Sequence, residues 1–259
     1  MNKDNNMKFY GDYHTHTKYS DGHITVRQNI QAAFDADLKD ISITDHGYNS
    51  PDFGSLTPEK MRKQRAEIEK IKPEFPTLNI HRGVEANIVG SDGTIDLTEK
   101  DYEDFDYIIA GFHAPTRPKN IKSFRELYLN SYFYFLGTSK AARERNTKTY
   151  IEMVKKYPIA IIAHINHLTK VNVKEVAKCC ADYGTYIELN AKYIHDLSYN
   201  AFEEILATEA ILIANSDGHY TEHVGNFSRI IKYLKNYPGI ENRIVNTRPG
   251  TVKFRTHLS

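Results

Sequence analysis

One segment near the start of the chain decides the fold: Lys8-Phe9-Tyr10-Gly11-Asp12-Tyr13-His14-Thr15-His16. It predicts a buried strand over Lys8–Tyr13 with two histidines at its carboxyl end. In an extended strand alternate side chains share a face, so His14 and His16 point the same way while Thr15 points away. The pair can therefore chelate one divalent ion.

The same arrangement of an apolar run followed by a metal-ligating side chain recurs along the chain. It is found at Asp45-His46, Glu85, His113, His164 and Asp217-Gly218-His219. Gly218 is expected to give the backbone the freedom to turn both neighbouring side chains toward the same rim. Imidazole nitrogens and carboxylate oxygens suit borderline divalent cations, so the pattern predicts a site for several catalytic metal ions.

Strands and helices are predicted to alternate through most of the chain. Buried strands are expected at Lys8–Tyr13, Asp40–Thr44, Leu78–Val84, Tyr107–Gly111, Ile159–Ala163, Thr185–Leu189 and Ile211–Ala214. Helical periodicity indicates helices at Thr25–Asp37, Pro58–Ile71, Ser123–Leu136, Ser139–Tyr157, Val173–Tyr183, Ser198–Thr208 and about Asn226–Asn236. Thr57 and Asn172 are predicted helix N-caps.

This alternation predicts a parallel sheet with crossover helices. The candidate ligands follow six of the seven strands, always at the carboxyl end. In a barrel those ends meet around one mouth, whereas an open sheet spreads them along an edge. The sequence therefore favours a closed or nearly closed α/β barrel, as a single domain over residues 1–259.

Two connections stand out from the rest. Residues 88–96 predict a hairpin around Ser91-Asp92-Gly93. A longer insertion over Pro115–Leu136 carries Arg117 and ends in Tyr132-Phe133-Tyr134-Phe135, which is typical of core packing or of a lid.

Composition excludes several classes of protein. Hydrophobic residues make up 40% of the chain and charged residues 26%, as in ordinary globular proteins. A net charge of +1 disfavours a long nucleic-acid groove. Neighbouring Cys179 and Cys180 predict no disulfide framework, and no run approaches the ~18 residues that span a bilayer. We expect a cytoplasmic protein that does not enter a membrane.

At the ligand positions the chain resembles the PHP (polymerase and histidinol phosphatase) superfamily of metal-dependent phosphoesterases, and especially its small stand-alone bacterial members. The matching segments are residues 14–17 with 20–22, 43–47, 83–87, 110–113, 163–164, 187–190 and 216–219. The resemblance implies a distorted TIM-like (βα)7 barrel with a metal cluster at its carboxyl-terminal mouth.

The resemblance also implies three divalent ions, with zinc expected and manganese or iron as alternatives. One ion would be held by His14, His16, Glu85 and Asp217, a second by Glu85, His113 and His164, and a third by Asp21, His46 and His219. Some relatives place a histidine near Asp21, so His23 is an alternative ligand at the third ion. Asp45 is expected behind the ligands, where it would fix the tautomer of a ring.

The expected reaction is hydrolysis of a small phosphomonoester at this trinuclear site. A hydroxide that bridges two ions, held through Glu85 and Asp217, would attack phosphorus in line with the leaving alkoxide. Arg117, Lys192 and His195 follow strands four and six and are candidate substrate-binding residues. The proton donor is left open.

Three alternatives remain at this point. The substrate could be histidinol phosphate specifically, the activity could be that of a nuclease or nucleotide phosphoesterase, or the ligands could form a non-catalytic metal-binding module. The ligand set leaves coordination positions open, whereas structural zinc sites are closed by four protein ligands, which argues against the last alternative. The oligomeric state is open.

Overall fold

Seven parallel strands lie side by side in chain order in this computed structural model, which describes residues 7–50, 54–114, 116–132 and 137–257. The strands are β1 (Gly11–Asp12), β2 (Asp40–Ile43), β3 (Asn79–Asn87), β4 (Tyr107–Gly111), β5 (Ile159–Ile162), β6 (Tyr186–Asn190) and β7 (Leu212–Asn215). Every neighbouring pair is parallel, from Gly11 opposite Asp40 to Asn190 opposite Asn215.

The sheet curls until its first and last strands meet. Beyond the ends of β1 and β7, Thr15 and Gly218 form a parallel bridge. His16 N donates to Gly218 O at 2.8 Å, and Gly218 N donates to His14 O at 3.3 Å. The result is the nearly closed TIM-like barrel that the sequence predicts, so that prediction is confirmed.

A buried asparagine ties the same two strands together lower in the barrel. Asn246 Nδ2 donates to Gly11 O at 2.8 Å and to Ala214 O at 2.7 Å. Its Oδ1 accepts from Ala214 N at 3.0 Å. One side chain thus satisfies backbone groups that an unbroken ladder would otherwise pair.

Helices cover the outside of the sheet. They are α1 (Val26–Asp35), α2 (Pro58–Ile71), α3 (Ile121–Ser123), α4 (Leu129–Tyr132), α5 (Lys140–Lys156), α6 (Val173–Tyr183), α7 (Tyr199–Leu206) and α8 (Ser228–Leu234), with a π-helical turn Phe124–Tyr128 between α3 and α4. Thr57 and Asn172 cap α2 and α6 as predicted, by accepting from Lys60 N and Glu175 N.

The interior of the barrel is filled from its amino-terminal end. Tyr107, at the start of β4, donates its hydroxyl hydrogen to Tyr13 O at 2.7 Å. Phe254 stacks on the Tyr107 ring at 3.7 Å, and Tyr186 at the start of β6 donates to Lys253 O at 2.8 Å. This packing closes the amino-terminal end and leaves polar side chains at the opposite, carboxyl-terminal mouth.

The connections differ from the sequence predictions in detail. The predicted hairpin is confirmed by an antiparallel bridge between Ile88 and Ile95. The predicted helix Ser123–Leu136 starts at Ile121 and is described only as far as Tyr132, so the aromatic residues 133–135 lie outside the described residues. None of the helices in the described ranges is long and apolar enough to span a bilayer.

Candidate metal centre

The barrel gathers all nine predicted metal ligands at its carboxyl-terminal mouth. Each comes from a strand end or from the loop that follows it, because parallel strands of a barrel deliver their carboxyl ends to one side. Seven of the nine residues are buried, while the side chains of His113 and Asp21 retain 12% and 21% exposure. The nine are His14, His16, Asp21, His46, Glu85, His113, His164, Asp217 and His219.

Glu85 lies at the centre of this arrangement, on β3. Its Oε2 lies 3.2 to 3.4 Å from ring nitrogens of three histidines, and its Oε1 lies 2.9 to 3.2 Å from ring nitrogens of two others. The Oε2 group is His14, His16 and His46, and the Oε1 group is His113 and His164. One carboxylate thus faces two separate sets of imidazoles.

A second carboxylate organises the other side of the mouth. Asp21 Oδ2 lies 3.1 Å from His219 Nε2 and 3.4 Å from His46 Nε2. Its Oδ1 lies 3.5 Å from His16 Nδ1. Asp217 Oδ1 approaches His16 Nε2 to 3.4 Å from the opposite direction. His16 therefore stands between the two halves of the cluster.

Hydrogen bonds from residues around the cluster orient three of its histidine rings. His14 Nδ1 donates to Glu188 at 2.7 Å, and His113 Nδ1 donates to Asn87 Oδ1 at 2.8 Å. His219 Nδ1 donates to the backbone oxygen of Asp217 at 2.8 Å. In a neutral ring the other nitrogen, Nε2, is then an acceptor only. All three Nε2 atoms face carboxylates or further ring nitrogens.

This donor set fits divalent cations. His14 Nε2 lies 3.1 Å from His16 Nε2, and His113 Nε2 lies 3.1 Å from His164 Nε2. Two buried lone pairs that face one another need a proton or a metal ion between them. The side chains form three groups, and within each group the candidate ligand atoms all lie within 4.8 Å of one another. The groups are His16, Asp21, His46 and His219; His14, His16 and Glu85; and His46, Glu85 and His113.

The electrostatics of the cluster also favour positive charge. Burial alone would lower the pKa of His14, but Glu85 and Glu188 outweigh it and raise that pKa well above its usual value. Burial opposes the charged form of His46 too, yet Glu85 and Asp21 raise its pKa to about 9. Without another cation, the carboxylates would draw protons onto these rings.

A cavity of about 230 Å³ opens onto the cluster. Its wall includes Lys192, whose Nζ lies 3.3 Å from His219 Nε2 and 3.7 Å from Asp217 Oδ1. Burial would lower the pKa of Lys192, but Asp217 reverses the effect and raises it, so the lysine is charged at neutral pH. Lys192 is thus the predicted substrate-binding residue that the fold brings to the metal centre.

Three other predicted residues lie away from this cavity. Arg117 and His195 do not line it, and the His195 side chain is 70% exposed. His23, the alternative third-ion ligand, stacks on Tyr220 at 4.4 Å instead of joining any of the three ligand groups. Asp21 occupies the position beside His46 and His219.

Two expectations about supporting residues need correction. Asp45 accepts hydrogen bonds from Thr17 N at 2.7 Å, from Thr17 Oγ1, from Ser20 Oγ and from Gln64 Nε2, so it shapes the loop that carries Asp21. Gly218 was expected to give the backbone the freedom to turn its neighbours toward the rim, but the positive φ of this segment, 55°, is at Asp217.

Gly218 is required for a different reason. A Cβ at this position would lie 2.9 Å from Ser216 Oγ and 3.2 Å from the Val224 side chain. The glycine therefore permits the close approach of this segment to Ser216 and Val224.

Sequence reasoning missed two groups at this mouth. Glu188 is fully buried within β6, and the feature that could have revealed it is a lone carboxylate inside an apolar strand, as at Glu85. His167 lines the cavity and its Nδ1 bonds to Asp196 Oδ2 at 2.7 Å. Nothing in the local sequence distinguishes His167 from a surface histidine.

Comparison with known proteins agrees with this geometry. A family model described as the PHP domain matches residues 12–195. Over nearly all of its length the chain is 29% identical to two curated relatives. One is a probable phosphatase from Thermoanaerobacter sp. (strain X514), aligned over 264 residues that cover 95% of this chain and 94% of the relative. The other is a probable phosphatase from Proteus mirabilis (strain HI4320), aligned over 250 residues that cover 93% and 91%.

A solved structure shares the fold. The histidinol phosphate phosphatase of Lactococcus lactis subsp. lactis Il1403, in complex with zinc, L-histidinol and phosphate, matches with a TM-score of 0.59 at 15% identity. The match covers 88% of this chain and 93% of that chain. The family model spans more than half of the sequence and confirms the resemblance seen in the motifs. The chain therefore belongs to the PHP domain family.

Proposed function

We propose that this protein is a metal-dependent phosphatase that hydrolyses a small phosphomonoester at the barrel mouth. The observation that carries the proposal is the position of Glu85, whose two oxygens face two separate sets of imidazoles at 2.9 to 3.4 Å. A carboxylate shared in this way is suited to bridge two cations. The names of the curated relatives support the same class of reaction.

We assign the ligands to three sets, the first two of which share Glu85. His14, His16, Glu85 and Asp217 would hold one ion, and Glu85, His113 and His164 a second. Asp21, His46 and His219 would hold a third. His16, a member of the first set, also lies within 4.8 Å of the ligand atoms of the third set, so these two sets are neighbours. Zinc suits this mixture of imidazole and carboxylate, and manganese or iron would also be accepted.

Metal ions bound there would supply hydroxide at neutral pH and neutralise charge on the phosphoryl oxygens. The protein contributes position and charge. Lys192 is the cation at the wall of the cavity, so we assign it to a phosphoryl oxygen. Glu188, Asn87 and the backbone oxygen of Asp217 hold the rings of His14, His113 and His219 through Nδ1, so that each Nε2 would be available to a bound metal ion.

The dimensions of the cavity favour a small substrate. A volume of about 230 Å³ admits a phosphate and a short alcohol. A net charge of +1 gives no extended cationic surface for a polynucleotide. Histidinol phosphate is a specific candidate because the Lactococcus neighbour binds L-histidinol and phosphate, and it belongs in the substrate panel.

We further propose that residues 1–259 act as one domain in the cytoplasm. Asp217 and His219 lie beyond the stretch matched by the family model, yet they face the same cavity as Glu85. Cys179 and Cys180 are both free and buried, as expected in a reducing compartment.

The test combines metal analysis with turnover. Protein purified with and without added zinc, manganese or iron would be assayed by mass spectrometry for metal content. Release of phosphate would be followed from p-nitrophenyl phosphate, histidinol phosphate and nucleoside monophosphates, with single-stranded DNA as the nuclease substrate. Glu85→Gln is the test variant, and Glu144→Gln, at an exposed position of α5, is the matched control.

We expect phosphate release from monoesters, a loss of at least about 10³-fold in kcat/KM with Glu85→Gln, and no change with Glu144→Gln. Cleavage of DNA without monoester turnover would instead identify a nuclease. Tight metal binding without hydrolysis of any ester would identify a non-catalytic metal-binding module.

A further inference from the structure

The loop that follows β5 has an unusual backbone. His164, Asn166 and Leu168 all have positive φ angles, of 29°, 71° and 54°, although none is glycine. Such conformations cost of order 1–3 kcal/mol each, and they persist only where the surroundings enforce them. The loop therefore holds His167 and Leu168 at the wall of the metal cavity at a cost to stability.

Local hydrogen bonds lock this loop in place. Asn166 Oδ1 accepts from Val171 N at 3.0 Å, and the backbone oxygen of Asn166 accepts from Lys170 Nζ at 3.0 Å. His167 N donates to His164 O at 2.9 Å. The loop is thus rigid on both sides of His167, as expected of an element that positions a functional side chain.

The His167 ring is oriented from two directions. Its Nδ1 bonds to Asp196 Oδ2 at 2.7 Å, and its face stacks on Tyr193 at 3.7 Å with an interplanar angle of 27°. The ring centre lies 5.5 Å from that of His164. His167 is 17% exposed and lines the metal cavity. Because Asp196 already engages Nδ1, Nε2 is the ring nitrogen that remains for a ligand.

The bond to Asp196 decides what Nε2 can do. A carboxylate only accepts, so Nδ1 carries the proton and Nε2 of the neutral ring offers a lone pair. Cations held by His164 would disfavour a second proton on the ring, because like charges repel.

We propose that His167 is a specificity-determining residue that accepts a hydrogen bond from a hydroxyl or ammonium group on the alcohol part of the substrate. The inference rests on the proposed phosphatase function. It limits the expected substrates to phosphomonoesters whose alcohol part carries a hydrogen-bond donor close to the ester oxygen. The short distance to His164 limits that donor to a few bonds from phosphorus. Asp196 is a positioning residue, because it acts only through His167.

The test uses three esters with equal numbers of non-hydrogen atoms: 2-hydroxyethyl phosphate, 2-aminoethyl phosphate and propyl phosphate. The first two carry a donor at the position where the third has a methyl group. We expect wild-type protein to favour the donor-bearing esters by about tenfold or more in kcat/KM, since a site built around a hydrogen bond rejects analogues that lack it.

Variants test whether the His167 ring causes the preference for donor-bearing esters. His167→Phe keeps the stack on Tyr193, and we expect it to bring the three kcat/KM values within about twofold of one another. Asp196→Asn should reduce the preference partially, because an amide does not impose one tautomer on the ring. His257→Phe, at an exposed position that does not line the metal cavity, should leave the preference unchanged.

A second measurement does not depend on turnover. Nitrogen-15 NMR of the metal-free protein at neutral pH reports the tautomer of each histidine, and the His167 signals are those lost in His167→Phe. We expect a protonated Nδ1 and an unprotonated Nε2. A protonated Nε2 would overturn the proposal.

The outcomes distinguish failure of the proposed role of His167 from failure of the proposed phosphatase function. Equal turnover of the three esters by wild type, or a preference that survives His167→Phe, would refute the role of His167 and leave the phosphatase assignment standing. If metal-loaded wild type hydrolyses no phosphomonoester, both proposals fail.

Discussion

Glu188 Oε1 accepts a hydrogen bond from His14 Nδ1 at 2.7 Å, although the two residues are 174 positions apart. Both side chains are fully buried. The contact turns His14 Nε2 toward Glu85 Oε2, 3.2 Å away. Glu188 also accepts a hydrogen bond from His164 N at 2.7 Å through its other oxygen. One carboxylate thus supports His14, which faces Glu85 Oε2, and His164, which faces Glu85 Oε1.

Replacing Glu188 should therefore weaken metal binding without touching a ligand. We expect Glu188→Gln to lower metal affinity by about 10- to 100-fold, because the neutral amide holds the ring less firmly and reduces its basicity. Competition with a chromophoric chelator measures this change, with Glu144→Gln as control. An affinity within twofold of wild type would show that Glu188 serves packing alone.

Lys192 should act on the substrate and not on the metals. Lys192→Met keeps the length of the side chain and removes its charge, so we expect kcat/KM for phosphomonoesters to fall by about 10- to 100-fold with metal content unchanged. Arg117→Met is the matched control, since Arg117 does not line the cavity. The assignment is wrong if both variants lose activity equally, or if metal is lost from Lys192→Met.

Asn246 should be critical for barrel closure. Asn246→Ala would leave Gly11 O, Ala214 O and Ala214 N without the partners that the side chain now provides. We expect a loss of about 3 kcal/mol in the free energy of unfolding, since a buried backbone group without a partner costs about 1–3 kcal/mol. Urea denaturation measures it, and exposed Asn242→Ala should change stability by less than about 0.5 kcal/mol.

Asp96 should make stability depend on pH. Burial raises the pKa of its carboxyl to about 6, even though Asn87 and Asn49 donate hydrogen bonds to it. Because the folded pKa exceeds the unfolded value of about 3.9, the contribution of Asp96 to stability is present at low pH and is lost as pH rises through 6.

Comparison with Asp96→Asn isolates this effect. From about pH 4 to pH 7, the free energy of unfolding of wild type should fall by about 2 kcal/mol relative to the variant. Urea titrations of both proteins at several pH values measure the difference. A constant difference across this range would show that the folded and unfolded pKa values are alike.

Much of the architecture could be read from local patterns. Each strand and most helices were predicted to within a few residues, since burial on both faces of a parallel strand produces a short apolar run. Eight of the nine candidate ligand positions followed from the same pattern, because a strand end such as Ala163-His164 places its polar residue at the mouth in any parallel barrel. Asp21 came only from the family resemblance. The assignment of those residues to particular ions stays a proposal.

Local patterns could not supply the partners of those residues. Asp45 was expected beside a ring and instead supports the loop of Asp21, while Glu188 and Asn87 hold the rings of His14 and His113. Which carboxylate meets which ring depends on the curvature of the sheet and on packing between strands distant in sequence. No spacing rule relates such pairs.

The sequence by itself determined that this chain forms a parallel barrel and that its strands end in imidazoles and carboxylates, because strand burial and side-chain alternation act over a few neighbouring residues. Only the tertiary structure decided that Glu85 faces two sets of histidines and that Asp196 orients His167 toward the cavity. Those relationships depend on barrel closure and on strained loops, where a side chain's direction is set by atoms far away in the sequence.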